Sequence, residues 1–445
     1  DLEKDSYVVV LRNVIREMNK IRDDIHWTIL SPMKLANNQI KSLHFPNTTQ
    51  LKIEFPSYPN AMRTHFDYNN FMKALDWKNN EYDVVYSHLP EHTNLLANAI
   101  GNNTNMDPKY IGGYCHWFEV DENTAYNNTL FRENISGILE MEECGVNSEW
   151  LKNLVIDRSK EFYNNKVAKK LQKIIQPHYL GIDDISTGHE YKPKTILFNH
   201  RDNEYTGWRW FIKRMDELWE KRKDFKVYTT LADIPKIKKK DKDGEDIFDE
   251  EGNHILEDRP YAERVKLSSR DDYLNFVRSM HMGIGCFQKY SAWSISTTDG
   301  LSQGVPYVLP NGMCYPEMVG NDYPLLYDGA KEFKSTIEDM LDNPKVREEA
   351  NNYLDSKLDN FKWSGRVPTW FNNWKFLDNL KMVKSDTEGY QKIFNLIKRK
   401  GYATKRDVTN HLNWGVRISF TGYRNRLRTE PLIRFTKNGY EYIGD

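Results

Sequence analysis

Cysteine is scarce: Cys115, Cys144, Cys286 and Cys314 are the only four in 445 residues, and none stands in a CxxC spacing. That argues against a disulfide framework and a cysteine-built zinc site, and it fits a reducing compartment. Net charge is almost absent, with 63 basic residues against 64 acidic. No global attraction to polyanions or membrane surfaces follows, so any basic site has to be local. Long apolar runs are missing as well. The longest are strand-sized, which gives no membrane span and no signal peptide and predicts a cytoplasmic protein. The sequence opens on Asp1 rather than Met, which predicts processing or trimming. Sequons such as Asn134-Ile135-Ser136 are expected by chance in so Asn-rich a chain. The length exceeds one core and predicts two or three domains, at roughly 100–200 residues each.

What is present is an alternation of helical and extended patterns. Helical periodicity over 7–24 precedes a strand at 25–30. Strands at 51–55, 82–86 and 110–115 alternate with helices at 61–77 and 94–100. A strand at 136–142, a helix from 148 capped by Asn147 or Ser148, and a short strand at 174–177 follow. A second series starts at a buried-type strand, 194–198, with a helix at 208–221 and a strand at 225–228. Residues 234–260 interrupt it with runs of lysine and acid, a solvated insertion with a hairpin about Gly252. A helix at 271–279 and a strand at 282–286 resume the pattern. Such alternation implies an α/β fold of parallel sheets with ligands at the carboxyl ends of the strands. Two halves, 1–185 and 186–384, would face each other across a two-substrate cleft.

The segment Thr297-Thr298-Asp299-Gly300-Leu301-Ser302-Gln303-Gly304-Val305-Pro306-Tyr307-Val308-Leu309-Pro310 is the most informative. An acidic residue opens a short helix that ends in Gly-Val-Pro and runs into an apolar strand. A helix N-terminus suits a diphosphate, and a carboxylate on the same helix suits the two hydroxyls of a ribose. The same pattern also describes an ordinary helix-to-strand corner.

In its motif order from about 7 to 324 the chain resembles the GT-B glycosyltransferases, in the group of glycogen synthase-like enzymes and phage DNA α-glucosyltransferases. The residues that carry the resemblance are Ile196-Leu197-Phe198-Asn199-His200-Arg201 with Gly207, the segment around Asp299, Asp83-Val84-Val85-Tyr86-Ser87-His88, Gly113-Tyr114-Cys115-His116-Trp117-Phe118-Glu119, and Cys144 to Lys152. It implies two Rossmann-like domains, an acceptor domain at 1–185 and a donor domain at 186–384. It also implies a nucleotide sugar, UDP-glucose first, as co-substrate, with no obligatory metal. Thr206 stands where the family has Lys, with Arg209 as a substitute, and Ser291 stands where it has the first of two glutamates. The family would place a strand and a glycine-rich loop before the first helix, and this sequence starts at the helix.

Glycosyl transfer builds positive charge on the sugar and negative charge on the departing phosphate, so cations aimed at the phosphate lower the barrier. Arg201, Gly207 and Arg209 are assigned to the diphosphate, Asp299 and Gly300 to the ribose side, and Asn311 and Gly312 to the sugar pocket. His116 is assigned to a sugar or acceptor hydroxyl and His88 to the acceptor side; each is also readable as an ordinary strand-end histidine. Glu119 is the general base if configuration inverts. If it is retained, the leaving phosphate takes the proton.

Residues 385–445 form a separate unit. Ile393, Leu396 and Ile397 stripe a first helix, Thr404 caps a second with Val408 and Leu412, a third run holds Phe420, Tyr423 and Leu427, and 432–435 turns at Asn438-Gly439 into 440–443. Three helices and a hairpin resemble a winged helix-turn-helix. Lys405, Arg406, Arg417, Arg424, Arg426, Arg428, Arg434 and Lys437 stand against Asp407 and Glu430, a local net charge of +6. That concentration predicts duplex DNA as partner, some arginines gripping backbone and others reaching bases. Together the parts predict a glycosyltransferase that sugars a hydroxymethylated pyrimidine such as hydroxymethylcytosine in DNA, a bacteriophage-type modification in the host cytoplasm. The alternatives are a saccharide or protein acceptor, or a DNA-binding regulator that senses a nucleotide sugar.

Overall fold

The opening run Val8-Val9-Val10-Leu11 is helical, against the β preference of valine, because two faces of α1 (Ser6–Ile21) are buried. Val10, Val14 and Met18 pack with Tyr110, Tyr114 and Trp370. Val8 and Ile15 pack with Ile29, Ile40 and Leu43. The computed structural model describes all residues except 1–5, 23–24, 33–39, 54–66, 76–81, 104–109, 117, 119–128, 184, 242–243, 288, 373–386, 405–431, 437–438 and 445.

In the first lobe β1 (Trp27–Pro32) and β2 (Thr48–Ile53) pair in parallel as a sheet of their own. Next come α2 (Tyr68–Ala74), β3 (Val84–Ser87), α3 (Thr93–Asn103), β4 (Tyr110–Cys115), α4 (Thr129–Ile138), β5 (Glu143–Val146), α5 (Glu149–Phe162), α6 (Asn165–Ile174) and β6 (Ile175–Pro177). Strands β3-β4-β5-β6 form a parallel sheet in that order. One expectation is overturned here. The strand expected at 136–142 is instead the end of α4 and a turn, because Phe131, Ile135 and Ile138 recur at helical spacing and are all fully buried. The strand begins at Glu143.

The second lobe holds β7 (Thr195–Phe198), α7 (Trp208–Lys221), β8 (Lys226–Thr229), the hairpin β9 (Ile237–Lys238) and β10 (Leu256–Glu257), β11 (Ala262–Arg264), α8 (Arg270–Arg278), β12 (Met282–Ile284), α9 (Ile295–Ser302), β13 (Tyr307–Pro310), α10 (Tyr315–Val319) and β14 (Leu326–Tyr327). The parallel order is β11-β8-β7-β12-β13-β14, so the winding reverses between β7 and β12, where open α/β sheets bind ligands. The insertion is the expected hairpin about Gly252, with a second left-handed turn at Gly244.

Helices α11 (Gly329–Asp342) and α12 (Pro344–Leu358) cover this lobe, and α13 (Trp363–Asn372) returns to the first. Trp370 stacks on Tyr114 at 5.3 Å and on His178 at 5.2 Å. In the tail, α14 (Thr387–Lys400) precedes an antiparallel sheet of β15 (Tyr402–Thr404), β16 (Ile433–Thr436) and β17 (Gly439–Tyr442), ordered β15-β17-β16. Ile393, Leu396 and Ile397 are buried as their spacing implied. Thr404 ends a strand, and the second and third helices expected after it lie outside the described residues. The hairpin is present, with Gly439 already in the strand, paired to Thr436. No helix among the described residues is long and apolar enough to cross a membrane.

Three desolvated histidines make the fold acid-sensitive. Burial pushes His88 and His200 down to about 4, and burial with the nearby Arg347 and Lys194 charges does the same to His281. Their folded values lie below the unfolded value near 6.5, so the unfolded chain binds more protons between those limits. Stability is therefore full above pH 6.5 and falls as pH drops toward 4. Urea midpoints measured from pH 7 to pH 4.5 should decline, and His200→Gln should make the decline shallower. A flat profile in wild type would contradict the assignment.

Candidate active site

The site is built on the carboxyl ends of β7 and β12. Asn199, the first residue after β7, donates from Nδ2 to the Ser296 carbonyl at 2.8 Å, and its Oδ1 accepts from the Tyr307 hydroxyl at 3.1 Å. Those bonds tie the end of β7 to the first turn of α9. Tyr307 lies under that helix only because Gly300 has no side chain: a Cβ there would sit 2.1 Å from the Tyr307 ring. Gly300 is thus buried by packing. Ser294 caps α9, its Oγ accepting from Thr297 N–H. Asp299 is therefore the fifth residue of the helix and does not open it, a correction to the sequence reading. The capping serine and the apolar Ile295 extend the helix one turn toward the N-terminus.

The Asp299 side chain is 12% exposed. Its carboxylate takes a two-pronged hydrogen bond from Arg270, Nη1 to Oδ2 at 2.8 Å and Nη2 to Oδ1 at 2.5 Å. Burial pushes its carboxyl above the ordinary aspartate range, and Arg270 pulls the other way. A cavity of 310 Å³ opens here, at the small end of ligand-pocket volumes. Its walls come from both lobes, with Val9 and Val10 of α1, Asp183 between the lobes, Arg270, Asp299, and Trp363 of α13.

The other donor-side residues do not line that cavity. Arg201 and Arg209 are exposed, three residues past β7 and on the first turn of α7, with no ion-pair partner among the described residues. Between them Gly207 caps α7 with φ +74°, and a Cβ there would sit 1.9 Å from the Cys286 carbonyl, so only glycine fits. Thr206, in the expected lysine position, is buried and donates to the Arg201 and Asn203 carbonyls at 2.7 Å each. It fastens the loop that carries Arg201. Asn311 bonds Asp328 at 3.1 Å beside Gly312, while Ser291 is buried against the Cys314 sulfur.

In the first lobe His88 and His116 follow the adjacent parallel strands β3 and β4, and the geometry brings them together. His88 Nδ1 and His116 Nε2 are 3.0 Å apart, and the Tyr7 ring centroid is 4.2 Å from that of His116. Asn147 holds the loop from below, donating to the His116 carbonyl at 3.1 Å. Glu119 lies outside the described residues, as do Lys405, Arg406, Arg417, Arg424, Arg426, Arg428 and Lys437. Arg434 is exposed on β16 and 3.6 Å from Glu441 of β17. Among the described residues no group of three or more His, Cys, Asp or Glu could hold a metal ion.

Two features were not foreseen. Arg270 occupies the Asp299 carboxylate, and its position at the start of a helix on the ligand edge was the available signal. Glu317 of α10 crosses between the lobes, accepting from Glu149 N–H and Trp150 N–H at 2.7 Å each, at the N-terminus of α5. Trp150 meets Tyr290 edge-on nearby, with centroids 5.6 Å apart. The two lobes are thus fastened together beside the site.

No protein-family model matches the chain, and no curated protein matches it. Solved structures do. A trehalose-6-phosphate synthase superposes with TM-score 0.60 at 10% identity over 82% of this chain and 96% of its own. The sucrose-phosphate synthase of Thermosynechococcus elongatus gives 0.59 at 10% identity over 84% and 94%. Anabaena HepE, solved with UDP and glucose, gives 0.55 at 10% identity over 84% and 95%. With a chain of the GtfA/B complex the match spans 61% of that chain and 70% of this one, at TM-score 0.49 and 10% identity. The fold of this chain is therefore GT-B: two parallel α/β lobes facing across a cleft.

Proposed function

We propose that this chain is a nucleotide-sugar-dependent glycosyltransferase, with UDP-glucose as first donor and a hydroxymethylated pyrimidine of DNA as acceptor. One observation carries the reading: a largely buried carboxylate, Asp299, faces a cavity between two GT-B lobes at the point where the second sheet reverses its winding. In this reading Asp299 accepts the ribose hydroxyls. Arg201, Arg209 and the N-terminus of α7 face the diphosphate and stabilise its charge as the sugar departs. Asn311 and Gly312 border the sugar. His116, held by His88 and Asn147, meets the sugar or the acceptor hydroxyl. Burial keeps His88 neutral at pH 7, so it serves as a hydrogen-bond partner and adds no cation. Inversion would call on Glu119 as base, and retention would leave the proton to the departing phosphate. The donor choice is supported by HepE, which binds UDP and glucose on the same fold.

The DNA acceptor rests on the tail, whose residues 401–440 carry eight basic side chains against two acidic. A second reading, a phosphorylated saccharide as acceptor, is favoured by the names of two neighbours, a trehalose-6-phosphate and a sucrose-phosphate synthase. Incubation with UDP-glucose and hydroxymethylcytosine DNA should give a mass gain of one hexose per modified base and release UDP. No gain on that DNA, with turnover on glucose 6-phosphate or fructose 6-phosphate, would decide for the second reading.

Two substitutions test the assignments. Asp299→Asn keeps the shape and removes the charge. UDP affinity should fall about 10- to 100-fold, at about 1.5–3 kcal/mol for a hydrogen bond to a charged group. Unchanged affinity by calorimetry would remove Asp299 from the site. Replacing Arg424, Arg426 and Arg428 by Ala should flatten the slope of log K against log salt for duplex DNA by about 2 to 3. An unchanged slope would show that these arginines do not contact phosphate.

A further inference from the structure

The Asp299 carboxylate is already engaged on both oxygens, in a way that a ribose cannot share. An ionised carboxylate offers about four lone-pair sites. The Arg270 fork takes one on each oxygen, the two that face the same side. The two left over point away from each other, and a vicinal diol needs two that it can span at once.

Arg270 is the movable member of this group. Its side chain is 50% exposed on the cavity wall, whereas that of Asp299 is 12% exposed. Asp183, on the same cavity wall and 3.7 Å from Arg16, offers a second anionic home. The Tyr273 ring lies 5.2 Å from the guanidinium carbon and gives it a surface to turn on.

We propose that Arg270 competes with the donor's ribose for Asp299, so that a nucleotide bearing both the 2′ and 3′ hydroxyls binds only by displacing the guanidinium. Arg270 is thus a positioning residue that sets donor affinity from the protein's side. This rests on the reading of Asp299 as the ribose carboxylate. A nucleotide with one hydroxyl can use one of the free sites and leave Arg270 where it is. The competition therefore acts on ribonucleotides and spares 2′-deoxyribonucleotides.

The test is calorimetric titration of the full-length protein with UDP, ADP and GDP, each beside its 2′-deoxy form, in wild type, Arg270→Ala and Arg270→Lys. For the base that binds, Arg270→Ala should tighten the ribonucleotide about tenfold, the scale of one charge-assisted hydrogen bond. The deoxy form should change by less than about twofold. Arg270→Lys, which keeps the charge and loses the fork, should fall between and covers the case in which the alanine variant does not fold. Weaker ribonucleotide binding in the variants would overturn the proposal, because Arg270 would then be a direct nucleotide contact. Equal gains for both forms would also overturn it, because the hydroxyl count would not matter. If no nucleotide binds wild type or variant, the donor reading itself fails and the competition fails with it.

Discussion

A carboxylate withdrawn from water must be compensated or it takes up a proton, and breaking such a pair costs about 3–5 kcal/mol. Asp299 is the residue where this constraint shapes the molecule. Its compensation comes from Arg270 at the head of α8, while Asn199 from the end of β7 holds both Tyr273, one turn on from Arg270, and the α9 backbone. Tyr307 fills the space beneath Gly300 and completes the support. One buried charge thereby organises the carboxyl ends of β7 and β12 and the starts of two helices into a single unit. That unit sits at the switch point of a doubly wound sheet, where ligands have room to enter.

The second lobe is fastened to the first by another carboxylate used differently. Glu317 gives both oxygens to backbone donors of the α5 first turn, groups that a helix leaves unpaired. Ser148 takes the third donor, so the end of α5 is satisfied jointly by both lobes. Trp150 against Tyr290, and α13 returning with Trp370 over Tyr114 and His178, add apolar contact. The loop before α9, which carries Tyr290, Ala292 and Trp293, is wedged against the first lobe in this arrangement. Under the proposed function, holding the two lobes together limits water at the site, as transfer to an acceptor rather than to solvent requires.

Much of this was legible in the residues. The strand at 195–198 shows as an unbroken apolar run because both faces are covered, and the helix at 208–221 shows by its 3.6 period. Gly207 is legible only through the family motif, and its left-handed backbone, φ +74°, is the structure's addition. Where local pattern and tertiary packing disagree, the sequence misleads: Ile135 to Leu139 has strand composition, but Phe131, about one turn earlier, fixes it as helix with Ile135 and Ile138 inward. Asp299 was found by its place before Gly-Val-Pro, although its depth in the helix depended on Ser294, a cap that local pattern alone did not single out. The Arg270 and Glu317 contacts were not legible. They join residues 29 and about 168 positions apart, and no periodicity encodes such pairings.

The most direct measurement is a crystal structure of the protein soaked with UDP. The account predicts both ribose hydroxyls about 2.7–3.2 Å from the Asp299 carboxylate, the diphosphate at the start of α7 beside Arg201 and Arg209, and Arg270 turned off the carboxylate. A nucleotide bound away from Asp299, or a ribose in the cavity with Arg270 still on both oxygens, would contradict it.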